Sequence, residues 1–147
     1  MIALVQRVAR AWVEIGGATV GAIEHGLLVF VCAEPADDEA LADRLAAKLP
    51  KLRVFADPAG KMNLSLADVN GGLLVVSQFT LAADVSGGNR PSFAGAAPPE
   101  LGRRLYDRVT ASARALYPQV ACGEFGAEMQ VHLINDGPVT IPITLRA

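Results

Sequence analysis

Two stretches of this chain are apolar at every successive position. Leu27 to Cys32 reads L-L-V-F-V-C, and Leu73 to Val76 reads L-L-V-V before S-Q-F-T-L carries it to Leu81. A half-exposed strand alternates polar and apolar residues, whereas an unbroken apolar run of this length suits a strand buried on both faces. The two runs predict strands over Leu27–Cys32 and Leu73–Leu81 at the buried centre of a sheet. Around them the pattern is mixed. Ile2 to Ile15 places Val5, Val8, Val13 and Ile15 among Gln6, Arg7, Arg10 and Glu14, and the alternation slips once near Arg7 to Ala9, as in a long strand with a bulge. Gly16-Gly17 predicts a turn, Ala18–Glu24 a short strand, and His25-Gly26 a second turn.

Asp37 and Asp38 open a helix in which Leu41, Leu45 and Leu49 recur every fourth residue until Pro50 interrupts. Leu52–Phe55 predicts a short strand, and A-D-P-A-G-K-M-N is turn chemistry. Ala82 to Pro99, rich in Gly and Pro, predicts a long loop of functional rather than packing character. Pro98-Pro99 then starts a second amphipathic helix, with Leu101, Leu105, Val109 and Leu116 near one stripe and Arg103, Arg104, Arg108 and Arg114 on a solvated face. Gly123 and Gly126 flank Phe125, Met129–Ile134 predicts a further strand, and Pro142 marks an edge strand or a bulge. No repeat or linker divides residues 1–147. The expected architecture is a single-domain α+β fold, a curved mostly antiparallel β-sheet or barrel with two amphipathic helices.

A chain of 147 residues has the size of one domain, and with five Phe, two Tyr and one Trp its core must be largely aliphatic. No apolar run reaches the ~18 residues of a membrane span, and M-I-A-L-V-Q-R lacks the features of a signal peptide, so a cytoplasmic protein is expected. Cys32 and Cys122 lie in apolar segments without metal-site spacing and read as core thiols. A net charge of −2 opposes broad electrostatic capture of nucleic acid, so any contact with RNA is expected to be local.

Ordinary hydrolytic machinery is missing. The histidines are His25, in a turn, and His132, in a strand, and neither comes with the nucleophile and orienting acid of a relay. No phosphate loop, H-E-x-x-H or carboxylate cluster supports phosphoryl transfer or metal hydrolysis, and neither metal nor cofactor is expected. The prominent features are polar residues where apolar runs end: S-Q-F-T-L at 77–81 and N-D-G-P-V-T at 135–140. Each alone is compatible with strand-end turn chemistry. Together they resemble the two signature motifs of the D-aminoacyl-tRNA deacylase family. The likeness extends through Q-R-V at 6–8, G-K-M-N at 60–63, R-P-S-F at 90–93 and F-x-x-x-M-Q at 125–130, in the family's order.

The resemblance implies a homodimer that acts on the aminoacylated 3′ end of tRNA, with the two motifs facing each other across the subunit interface. Ser77, Gln78, Phe79 and Thr80 would line the pocket. Gly137-Pro138, joined by a cis peptide, would enter from the partner and reject L-amino acids, with Arg7 holding that dipeptide. Phe125 and Met129 would lie near the terminal adenosine. The substrate would be D-aminoacyl-tRNA and also glycyl-tRNA, since glycine carries hydrogen on both sides. Thr80 is the one side-chain nucleophile in the motif, but no base accompanies it. The resemblance favours catalysis assisted by the ribose 2′-OH, with backbone N–H groups around Phe79 and Thr80 as oxyanion donors. Two other readings are a sister deacylase with a trans Gly-Pro that edits L-alanyl-tRNA, and a non-catalytic module that binds RNA ends.

Overall fold

A computed structural model describes the whole chain, Met1 to Ala147. Its strands are β1 (Ile2–Ile15), β2 (Ala18–Ile23), β3 (Gly26–Cys32), β4 (Phe55–Ala56), β5 (Met62–Leu64), β6 (Gly72–Ser77), β7 (Val120–Cys122) and β8 (Gln130–Thr144), and its helices are α1 (Glu39–Lys48) and α2 (Pro99–Leu116). The main sheet runs β2-β1-β3-β6-β7, with β8 also paired to β1. Pairings around β1 are antiparallel, while β3 with β6 and β6 with β7 are parallel. The sheet curls until its ends almost meet: a Cβ on Gly21 of β2 would stand 2.6 Å from the Cys122 carbonyl oxygen of β7. This nearly closed barrel with two helices is the α+β class expected from sequence.

The apolar runs are explained by two cores on opposite faces of the sheet. Leu27, Val29, Val31, Leu73 and Val75 meet the helices through Leu41, Leu45, Leu105 and Val109. Leu28, Leu74 and Val76 turn the other way and pack inside the curl with Val8, Ala11 and Val13. Each fully buried Leu or Val contributes about 1.5–3 kcal/mol, so β3 and β6 stabilise both layers at once. Asp38 caps α1 by accepting from the Leu41 N–H at 2.9 Å, and Pro50 falls in the 3-10 turn Leu49–Lys51 that ends it. Across the helix pair, Arg108 of α2 donates to both oxygens of Asp43 at 2.7 and 2.8 Å.

Several elements differ from the sequence expectation. The strand expected over Leu73–Leu81 stops at Ser77, because Val31–Ser77 is the last pair of the ladder and β3 itself ends at Cys32. The chain then tightens into a 3-10 turn over Phe79–Ala82. The strand expected over Leu52–Phe55 reduces to Phe55–Ala56, the part that pairs with β5. Leu116 is 60 % exposed rather than on the packed stripe: it ends α2, and the extended Tyr117 turns into the core instead. The strand expected over Met129–Ile134 starts at Gln130 and continues through the N-D-G-P-V-T segment as one strand, β8, which has β1 as its sole partner, so the missing N–H of Pro142 lies in an outer strand.

Candidate active site

The slip in alternation at Arg7–Ala9 corresponds to a large irregularity between β1 and β8. Gln6 pairs with Thr140 and Val8 with Asn135, so one β1 residue, Arg7, stands opposite the four residues Asp136–Val139. Side chains replace the lost ladder. Asn135 accepts from the Val139 N–H at 2.9 Å and donates to the Val139 carbonyl and the Thr140 hydroxyl, both at 3.1 Å. Arg7 donates through Nε to the Asp136 carbonyl at 2.8 Å and through Nη1 to the Val54 carbonyl at 2.7 Å, tying the excursion to the chain ahead of β4. The Asp136 carboxylate lies 3.7 Å from Arg7 Nε and 3.6 Å from His25 Nε2. At the tip the Gly137–Pro138 peptide is cis. A Cβ on Gly137 would stand 2.5 Å from the Val139 nitrogen, so glycine alone fits there.

On another part of the surface a cavity of about 610 Å³ opens between the end of β6, the N-terminal end of α2 and the segment before β8. It gathers Ser77, Gln78, Phe79, Phe125 and Met129 and is mainly apolar, with Phe30, Val31, Val76 and Val131 in its wall. Thr80, exposed, is not among its lining residues; neither are Arg7, Gly137, Pro138 or the two histidines. His132 instead stacks on Trp12, with ring centres 4.5 Å apart.

The 3-10 turn gives the cavity its polar feature. Gln78 spends its N–H on the Val31 carbonyl at 2.8 Å, as the last rung of the sheet. A 3-10 turn leaves its first N–H groups without internal acceptors, and no side chain caps this one. The Phe79 and Thr80 N–H groups are therefore unclaimed within the chain. Phe79, 57 % exposed, is steadied by an edge contact with Phe93 at 5.1 Å between ring centres. Cys32 Sγ lies 3.6 Å from the Phe79 carbonyl oxygen, and burial raises the thiol above its ordinary pKa, which keeps it a neutral donor.

Cys32, Phe30, Phe93, Gly102 and Tyr106 also line the cavity, and sequence reasoning gave none of them a site role. Phe93 had a signal in the R-P-S-F match. Cys32 is buried, as expected of a core thiol, yet it borders the cavity; Cys122 is only half-buried and accepts from Arg114 at 3.0 Å. Tyr106 hydrogen-bonds the carbonyls of Val75 (2.9 Å) and Gly123 (3.1 Å), locking β6 to the segment after β7 behind the cavity. Burial pushes its hydroxyl well above the ordinary tyrosine range.

Comparison with known proteins identifies the family. The D-Tyr-tRNA(Tyr) deacylase family model matches residues 4–144. The D-aminoacyl-tRNA deacylase of Variovorax paradoxus is 68% identical over 145 residues, covering 99% of each chain. That of Methylibium petroleiphilum is 66% identical, covering 99% of this chain and 95% of the relative. Among solved structures, a c-Myc DNA Unwinding Element Binding Protein superposes with a TM-score of 0.93 at 40% identity over 100% of both chains. A probable eukaryotic D-amino acid tRNA deacylase shares the fold, with a TM-score of 0.81 at 16% identity over 97% of both. The chain belongs to the D-aminoacyl-tRNA deacylase family, hydrolases that cleave the ester joining an amino acid to tRNA.

Proposed function

We propose that this protein is a cytoplasmic homodimer that hydrolyses D-aminoacyl-tRNA and glycyl-tRNA and spares L-aminoacyl-tRNA. The observation that carries the reading is an apolar cavity, lined by Ser77, Gln78, Phe79, Phe125 and Met129, with the unclaimed N–H of Phe79 in its lining and that of Thr80 next along the turn at its border. An ester carbonyl placed there would develop its negative charge against those donors, the arrangement that stabilises acyl-transfer transition states. The ester is already reactive, so positioning and an oxyanion site suffice once the neighbouring ribose 2′-OH assists. Thr80 lies off the cavity lining, which supports the RNA-assisted route over a threonine nucleophile.

Rejection of L-residues is assigned to Gly137-Pro138 of the partner subunit. A site that accepts many D-side chains must discriminate at Cα, and a backbone wall does so irrespective of side chain. That Gly137 and Pro138 do not line their own chain's cavity supports a shared site. The sheet face carrying Leu4, Phe30, Thr140 and Pro142 is partly or fully exposed and available to a second copy.

The test is deacylation by purified protein of D-tyrosyl-, glycyl- and L-alanyl-tRNA side by side. The first two should be cleaved and the third spared, and tRNA ending in 2′-deoxyadenosine should resist. Preferential cleavage of L-alanyl-tRNA would assign the protein to the sister activity. Rates no greater than spontaneous hydrolysis would leave a binding module.

A further inference from the structure

Three of the four arginines on α2 are engaged. Arg104 lies 3.9 Å and Arg108 3.4 Å from the Glu39 carboxylate, and Arg114 donates to Cys122. Arg103 alone has no carboxylate or thiol partner. Its guanidinium stands 5.1 Å from the centre of the Phe125 ring and spends one N–H on the Phe125 carbonyl at 3.3 Å. Phe125 lies in turn against Gly102, where a Cβ would come 3.4 Å from the ring. A helix-interior glycine costs about 1 kcal/mol relative to alanine, and here its lack of a side chain leaves room for the ring to approach α2. Gly102 and Phe125 both line the cavity, so Arg103, itself outside the lining, holds an exposed guanidinium against one of its wall residues with most of its five donors free.

We infer that Arg103 receives the phosphate on the 5′ side of the terminal nucleotide, so that the site recognises a nucleotide and not merely an adenosine ester. The inference rests on the proposed seat of the adenosine beside Phe125. The 5′-phosphate is tied to the same ribose, and a guanidinium held over a ring and hydrogen-bonded to a carbonyl is preorganised for contact with an anion. In a chain of net charge −2, one fixed cation beside the cavity supplies the local contact that general electrostatics does not.

The decisive measurement is calorimetric binding of adenosine 5′-monophosphate and of adenosine to the unaltered protein, Arg103→Ala, Arg103→Lys and Arg104→Ala. The phosphate should improve affinity about tenfold in the unaltered protein, a typical return for a charged hydrogen-bonded pair. Arg103→Ala should lose that gain while binding adenosine as before. Arg103→Lys should keep part of it, and Arg104→Ala all of it. On D-aminoacyl-tRNA, Arg103→Ala should act through KM with kcat preserved, and the slope of log affinity against log salt should fall by about 0.7. A phosphate preference that survives Arg103→Ala, an equal loss for adenosine, or no phosphate preference in the unaltered protein overturns the inference. Absence of any D-aminoacyl-tRNA cleavage by the unaltered protein would instead sink the catalytic reading, and the two binding measurements still decide on the phosphate.

Discussion

Asn135 and Arg7 do for the Asp136–Val139 excursion what a ladder does for a regular strand: their side chains take up backbone groups that β1 no longer faces. Arg7 uses two separate nitrogens for two carbonyls, a geometry that a single ammonium does not reproduce. Arg7→Lys should therefore be nearly as damaging as Arg7→Ala, and the sensitive measurement is the ratio of D- to L-aminoacyl-tRNA cleavage, which should fall in both. At Gly137 a methyl group meets backbone rather than a yielding side chain, so Gly137→Ala should destabilise by about 1–3 kcal/mol in urea unfolding. Tyr106→Phe removes a buried donor from two carbonyls, at a cost of about 1–3 kcal/mol by the same assay. Arg7 and Gly137 were legible in the sequence through the motif resemblance, although the clash that demands glycine, with Val139 in its own strand, follows from backbone path and not from composition. Cys32, Tyr106 and Arg103 were not legible as site residues. Nothing in a helical stripe or an apolar run tells which of its members borders a cavity.

At the level of elements, the strongest periodic signals held: unbroken apolar runs became β3 and β6, and the fourfold leucine spacing became α1. Errors gathered where one element's end depends on a neighbour, as when β6 stops because β3 has no further rung to offer. That early stop lets the S-Q-F-T segment fold into a turn with free N–H groups instead of extending a strand that would have consumed them. The packing of α1 on α2 was readable only as two apolar stripes, whereas the polar clamp between them depends on a side-chain alignment that no stripe encodes. Hydrogen bonds from Arg108 and Ser112 lower the Asp43 pKa to about 2. A depressed carboxyl pKa contributes stability that is present above the ordinary value near 3.8 and is lost as pH falls through about 2. Melting curves of the unaltered protein and of Arg108→Ala should thus differ above pH 4 and converge as pH drops towards 2; a difference that is constant with pH would remove the clamp from the account.

For the molecule as a whole, the cavity and the Gly137-Pro138 tip lie on separate parts of one chain, so activity should require two copies. Light scattering should give a dimer at assay concentration, and specific activity should fall on dilution through the dissociation range; an active monomer would contradict the shared site. The curled sheet was legible as a class from its strand pattern, but its closure was not, because contacts such as Gly21 against Cys122 join residues far apart in sequence. The same remoteness governs how the protein comes into being. β1 is synthesised early, and although β2 and β3 soon satisfy one of its edges, the other waits for β8, whose pairing runs from Glu14–Gln130 to Ile2–Thr144. Pairings so distant in sequence are slow to find, and an unmatched strand edge invites foreign partners in the meantime. The cavity shares that wait: β6 can form early, but Phe125, Met129 and Val131 of its lining come just ahead of the Asp136–Val139 excursion, so pocket and tip are completed together as β8 docks on β1.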